Sequence, residues 1–437
     1  MKKMSTLEIG KMLGADVIGN TFVKGISVDS RHVSKDDLFV CLVGERVDGH
    51  DYAQNAIDKG ATALLVDRQL DLNISQILVP DTLLGMFEFA KTYRNMLNIE
   101  AIAITGSNGK TSTKDILHSV LVNIAPTIAT FENQNTEIGS CLTLFRMDET
   151  TKYGIFEMGL DLPGEIEKML KLVKPTSAIL TSLDQAHMDN FNDDIEVLAQ
   201  EKFSIFETIE DKRRCFYQGD VSWFKDYATD HRSFGFKQDN EFVVHDVDIH
   251  GDKMDFRVND RHYETNLLGT HQASNAAGAI ALLRHLGVND DVINHGLQNV
   301  MLTSMRTEIY TYKNATILFD AYKASPKSME AALNLFEKYT SDAYRVIVLA
   351  DMYQLGVGTE IHHHNVLNQA ISQNTDKIFL LGEEFGRAHQ NIEDESIIHF
   401  KTFEALKEAI QPYFETDTFI LMKGSRYYEL ERLLEGE

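Results

Sequence analysis

This chain has little that would staple or anchor it. Its three cysteines, Cys41, Cys141 and Cys215, lie far apart with no C-x-x-C pair, which excludes a disulfide framework and a zinc knuckle. No apolar run approaches the ~20 residues of a membrane-crossing helix. The Met1-Lys2-Lys3 start leads into an amphipathic helix pattern instead of the apolar core of a signal peptide, so a cytoplasmic protein with no membrane span is expected. Positive charge is scarce. Against 66 Asp+Glu there are 42 Lys+Arg, a net charge of −24, which argues against nucleic acid as a partner. The deficit is uneven: −2 over residues 1–98, −14 over 99–310 and −8 over 311–437. The first stretch is therefore the least hostile to an anionic ligand.

What the chain does have is one stretch, residues 101–113, around which the rest is organised. Ala101 to Ile104 reads as a buried strand, Gly106 and Gly109 break it, and a helical pattern opens at Lys110 with Ile116, Leu117, Val120 and Leu121 on one face. Strand, glycine turn and helix N-terminus together suit a polyphosphate, because backbone N–H groups and the helix dipole both favour negative charge. Lys110 is placed to reach the outer phosphates and the Thr111 hydroxyl to ligate Mg²⁺. The first glycine of the usual phosphate-loop pattern would fall at Ile104, so a plain strand-to-helix turn is the alternative.

At 437 residues the chain needs two to four cores. Residues 1–98 read as a small α/β unit. A helix capped by Ser5 or Thr6 comes first, with strands at 25–31, 37–44 and 63–66 and helices at 52–59 and 82–97. Ser30 and Arg31, beside the glycine-bounded loop Gly44 to His50, could hold a diphosphate or a uracil edge, or be an ordinary turn. From 99 to 310 strands alternate with helices, which implies a parallel sheet with ligands beyond the strands' C-terminal ends. Glu157 and His187 both follow such strands, as does the glycine turn, so phosphate- or metal-capable groups are expected to converge there. Period-two segments from Phe242 to Leu268 suggest a β appendage. From 311 to 437 regular alternation predicts a doubly wound unit, with Asp320, Asp351 and Lys423 at strand ends. The tract His362 to His364 points around a helix and is read as a helix start, not a metal site. The expected class is α/β with three domains: a small N-terminal unit, a central P-loop-type ATPase domain with a β appendage, and a C-terminal Rossmann-like domain.

The motifs that carry a resemblance are Val28-Asp-Ser-Arg31 with Asp48-Gly-His50, Thr105-Gly-Ser-Asn-Gly-Lys-Thr111, Asn135-Thr-Glu-Ile-Gly139, Phe156-Glu-Met-Gly159 and Ala186-His-Met-Asp189. Further along are Gly269-Thr-His271 with Asn275, Met305-Arg-Thr-Glu308, Asp320-Ala-Tyr-Lys-Ala-Ser-Pro326, Asp351-Met-Tyr-Gln-Leu-Gly356 and Lys423-Gly-Ser-Arg426. In this order they resemble the Mur ligases of bacterial peptidoglycan synthesis over essentially the whole chain, within them the branch that adds a D-amino-acid dipeptide to a UDP-linked tripeptide. That family's phosphate loop also lacks the first glycine.

The resemblance implies an ATP-dependent amide ligase with ATP and Mg²⁺ as cofactors, acting as a monomer through an acyl phosphate. It places ATP on Thr105, Gly106, Ser107, Asn108, Gly109, Lys110, Thr111 and Ser112, with His271, Asn275, Arg306 and Asp320 closing on the nucleotide. It assigns catalysis to Lys110, Glu157, His187 and Lys202, and metal binding to Thr111, Glu157, His187 and a carbamylated Lys202. It assigns the UDP substrate to Ser30, Arg31, Gly44, His50, Asn135 and Thr136, and the amine to Lys323, Ser325, Lys423, Ser425 and Arg426. The chain departs from the family pattern at Lys323, usually Asn, and in the loop Glu132 to Thr136. These departures leave room for a paralogue using another carboxylate and amine. A non-catalytic nucleotide-binding module is the third alternative.

Overall fold

The computed structural model describes residues 1–184, 188–251, 253–303, 307–339 and 343–435. Three sheets divide the chain. The first has five strands in the order Asp16–Ile18, Ser75–Leu78, Ala61–Val66, Asp37–Val40, Gly25–Ser27, beside a two-stranded ribbon of Met4–Ser5 with Phe22–Val23. The Ser5 hydroxyl and the Glu8 carboxylate form a capping box that starts the helix Thr6–Leu13. The helix Thr82–Arg94, capped by Asp81, runs from this unit onto the next.

The central sheet has nine strands. The strand Glu100–Thr105, third from one edge, pairs in parallel with Tyr153–Glu157 on one side and Ser177–Leu180 on the other. The run Ala101 to Thr105 is wholly buried, as the unbroken apolar pattern requires of a strand covered on both faces. Thr127–Ala129 lies outside Tyr153–Glu157, so winding reverses across Glu100–Thr105 and leaves a crevice at the strands' C-terminal ends. Beyond Ser177–Leu180 follow Cys215–Gln218, Arg232–Gly235, Phe242–His250, Lys253–Val258 and Arg261–Thr265. The period-two segments form the expected β appendage, two antiparallel hairpins joined to the edge of the central sheet where Phe242–His250 pairs with Arg232–Gly235. The two bridging strands, four residues each, are too short to announce themselves by periodicity.

The third sheet has six strands, in the order Glu308–Tyr312, Ala315–Asp320, Thr418–Lys423, Tyr344–Ala350, Lys377–Leu381, Ile397–Phe400. Its first strand starts at Glu308, slightly ahead of residue 311. All pairings but the first are parallel. Register sets Asp320 beside Lys423. After Lys423 come two short 3-10 turns, Arg426–Tyr428 and Leu430–Leu433. The histidine tract lies in the helix Thr359–Ser372, where His363 is buried and its Nε2 accepts the Met352 N–H at 3.0 Å. Among the described residues, no helix is long and apolar enough to cross a membrane.

Candidate active site

A cleft of about 1110 Å³ opens where the three units meet. The central domain supplies residues 106–112, Glu157, Lys202, His271 and Asn275 to its walls. The C-terminal domain supplies Asp320, Lys323 and Lys423, and the N-terminal domain supplies Leu83 and Phe87.

The phosphate loop shows why glycine stands where it does. Gly106 has φ +146° and Gly109 φ +83°. A Cβ at Gly106 would sit 2.1 Å from the Thr181 hydroxyl, and one at Gly109 would sit 2.2 Å from the Asn275 amide oxygen. The backbone amides of Ser107 and Asn108 donate to Ser182, at 3.0 and 2.8 Å. The amides aimed at a phosphate are thus chiefly those of the first turn of the helix Lys110–Leu121, which have no intrahelical partners. The Lys110 ammonium folds back on the Gly106 and Ser107 carbonyls at 2.6 and 3.3 Å, above that turn.

Glu157 ends the strand beside the loop and is almost wholly buried. Its carboxylate accepts from the Thr111 hydroxyl at 2.7 Å and from the Asn135 amide at 2.9 Å. One anionic and one neutral oxygen donor, side by side at the cleft wall, fit Mg²⁺, which takes few protein ligands and keeps several waters. His187, expected as a further ligand, and Arg306, expected at the nucleotide, lie outside the described residues. Among the described residues there is no group of three or more His, Cys, Asp or Glu side chains that could hold a metal. Lys202, in the helix Ile195–Phe203, is buried, and its amine is driven far below the ordinary lysine value. Burial is the main cause, followed by the charges of Lys110 and of Lys323 across the cleft.

Other expected residues fall less simply. His271 is half-buried at the start of the helix Thr270–His285, and burial lowers its pKa, so it is a neutral imidazole. Asn275 is buried and donates to Gln272. Thr136 caps the helix Glu137–Phe145, and Asn135 is engaged by Glu157. Lys423 pairs with Asp320 at 2.9 Å and donates to the Lys323 carbonyl at 2.6 Å, so it braces the loop carrying Lys323. Ser325 is fully buried against Asp184. Ser425 caps the 3-10 turn and Arg426 pairs with Glu431, both outside the cleft walls.

In the N-terminal unit Ser30 is buried, and Arg31 is exposed but forked onto Asp29. Gly44 and His50 follow the neighbouring strand, away from the main cleft. The His50 ring is buried, its Nδ1 against Asp48 at 2.6 Å while its Nε2 accepts the Asp67 N–H, so it organises its loop instead of presenting itself to a ligand. The motifs read from the sequence leave out Asp184, Thr181 and Ser182. The strand stops at Leu180, and the next four residues are loop at the ligand-binding edge. The same strand-end rule that flagged Glu157 applies to them.

A nucleotide loop at a switch point, an acidic metal-capable partner and a third domain closing over both define an ATP-using ligase of modular build. Family models confirm the class. "Mur ligase family, catalytic domain" matches residues 22–100, "Mur ligase middle domain" 104–283, and "Mur ligase, glutamate ligase domain" 305–426. The chain belongs to the Mur ligase family.

Within it, the chain is 31% identical to UDP-N-acetylmuramoyl-tripeptide–D-alanyl-D-alanine ligase of Bacillus subtilis (strain 168), over 95% of this chain and 93% of that one. It is 29% identical to the protein of the same name from Rickettsia prowazekii (strain Madrid E), over 97% of both. Among solved structures, MurF from Acinetobacter baumannii superposes with a TM-score of 0.88 at 25% identity, covering 99% of this chain and 98% of that one. MurF ligase from Thermotoga maritima in complex with ADP shares the fold, with a TM-score of 0.81 at 22% identity over 94% and 96% of the two chains.

Proposed function

We propose that this chain joins D-alanyl-D-alanine to the terminal carboxylate of UDP-N-acetylmuramoyl-tripeptide at the expense of ATP. The observation that carries this reading is the meeting, in one cleft, of the phosphate loop, Glu157, buried Lys202 and the C-terminal domain's Lys323. The names of its full-length relatives support the substrate pair. In this reading the enzyme is a cytoplasmic monomer.

The chemistry brings two anions together. A carboxylate oxygen of the tripeptide attacks the γ-phosphorus, the bond from that phosphorus to the β-bridging oxygen breaks, and ADP leaves. The dipeptide's neutral amine then attacks the acyl carbon, phosphate departs, and the nitrogen loses a proton. Lys110 swings from the loop carbonyls to the outer phosphates and offsets their charge. The helix N-terminus holds the β-phosphate side, and Lys323 faces the transferring group from the other domain. Mg²⁺, held by Thr111 and Glu157, would supply further charge neutralisation on the phosphate oxygens. Asn135 fixes the Glu157 carboxylate for that task. Neutral His271 and Asn275 border the base. Burial lowers the pKa of Lys202 and so favours the neutral amine, the form that captures CO₂ and releases a proton to become a carbamate anion among cations.

The test is ADP release by the purified chain with MgATP, measured with both substrates and with each omitted. Release that needs both the UDP-tripeptide and D-alanyl-D-alanine is expected. Equal release without the dipeptide sinks the reading. A second reading, the same chemistry with another amine, is favoured by one observation: a cation, Lys323, lines the cleft beside Lys202. A scan of amines against the fixed UDP-tripeptide decides between them.

A further inference from the structure

One buried carboxylate ties the phosphate loop to the C-terminal domain. Asp184 sits on the loop after the strand Ser177–Leu180 and is 5% exposed. On the loop side its backbone N–H donates to the Ser107 hydroxyl at 2.9 Å, and that hydroxyl donates to the Asp184 carbonyl at 3.1 Å. Its Oδ2 accepts the Asn108 amide at 3.0 Å. On the other side the same oxygen accepts the Ser325 hydroxyl at 2.7 Å and the Lys327 backbone N–H at 3.2 Å. Ser325 is the N-cap of the helix Pro326–Lys338, so the carboxylate also faces that helix's positive end. Asn108 closes the triangle by donating to Ser325 at 3.1 Å. The Lys327 ammonium adds a second tie, to the Leu183 carbonyl at 2.7 Å.

We infer that Asp184 is a positioning residue that couples occupancy of the phosphate loop to closure of the C-terminal domain, through Ser325. Among the described residues, two of the three donors on Oδ2 come from the C-terminal domain, so opening the cleft strips them away and exposes the charge to water. The third donor is Asn108 of the phosphate loop itself. Whatever orders Asn108 therefore favours the closed position of Ser325. By linkage, closure favours ligand on the loop by the same factor. The coupling to nucleotide rests on the proposed function; the holding of the closed form does not.

The experiment uses the full chain, with Asp184→Ala, Ser325→Ala, Ser325→Thr and the double variant Asp184→Ala/Ser325→Ala. Small-angle scattering without ligand reads closure, and calorimetry reads binding of adenylyl-imidodiphosphate with Mg²⁺. Both Ala variants are expected to increase the radius of gyration and to weaken the analogue about 5- to 20-fold, a typical coupling. Ser325→Thr, which keeps the hydroxyl, restores binding, and the double variant is no weaker than the worse single one. The KM for the UDP-substrate and the thermal midpoint stay near wild type. Unchanged scattering and affinity overturn the inference, as do additive losses in the double variant. Loss of binding that follows a fallen thermal midpoint in Asp184→Ala, with Ser325→Ala unaffected, overturns it too. If wild type fails to bind the analogue, the proposed function falls, while the scattering still decides whether Asp184 holds the domain.

Discussion

The central domain meets its two neighbours in opposite ways. On the N-terminal side the helix Thr82–Arg94 packs on the helices Glu137–Phe145 and Glu165–Val173. Phe89, Tyr93 and Phe145 cluster there, with Phe145 4.9 Å from Phe89 and 5.7 Å from Tyr93 between ring centroids. The Tyr93 hydroxyl donates to the Met147 carbonyl at 2.7 Å, and buried Arg94 donates to the carbonyls of Leu97, Val173 and Lys174. On the C-terminal side, among the described residues, no helix or strand packs broadly across the junction. Loops touch instead, through Asp184, Ser325, Lys327 and the Asp193–Val357 contact, beside a narrow apolar contact that joins the two cores. A helix-packed aromatic seam resists opening, whereas a few hydrogen bonds of about 1 kcal/mol each can be exchanged for water during turnover. The first junction is a fixed wall of the cleft and the second is its door.

If that contrast is right, damage to the first junction lowers stability and spares catalysis, and damage to the second does the reverse. The largest effect is expected from Phe145→Ala, which empties the centre of the aromatic seam and costs about 3–5 kcal/mol. Calorimetry should show the transition of the N-terminal and central units at a clearly lower temperature, with kcat of the folded fraction near wild type. A loss of kcat with an unmoved transition would break the comparison. Arg94→Met is next. It leaves three carbonyls without their donor, at about 1–3 kcal/mol in all, and again the loss should appear in the thermal transition. Asp193→Gly removes the 3.3 Å contact to the Val357 N–H on the door side, at a φ of +55° that glycine adopts freely. It should raise the KM for ATP a few-fold and leave the melting profile in place.

The residues that made the site legible were those whose chemistry follows from position on a parallel sheet. Thr105 and Glu157 end neighbouring strands, so the strand pattern alone brought the phosphate loop and its acidic partner together. What periodicity could not reveal was which polar groups are already occupied. Ser325 and Lys423 look like binding groups in a motif, yet Asp184 and Asp320 engage them, and those partners are distant in sequence. His50 belongs to the same class: a polar residue in a glycine loop that the fold turns inward. Strand ends were the other weak point, since the apolar pattern does not show that the strand stops at Leu180 and the loop carrying Asp184 begins.

Lys202 supplies the subtlest test, because its charge is set from both sides of the door. Burial is the first cause of its lowered pKa, Lys110 the second, and Lys323 of the C-terminal domain the third. A lysine whose folded pKa lies below the unfolded value of 10.5 binds fewer protons folded than unfolded between those limits. Its destabilisation is therefore complete below the folded pKa and is lifted as pH rises toward 10.5. In CO₂-free buffer Lys202→Met should melt above wild type at neutral pH, with the gap shrinking on the alkaline side. Lys323→Met removes one of the three causes, so in that background the gap should be smaller and should begin to close at higher pH. The same displacement is expected in Asp184→Ala, whose open door carries Lys323 away. A gap that ignores Lys323 altogether would place the C-terminal domain too far from Lys202 for the door to be shut at rest.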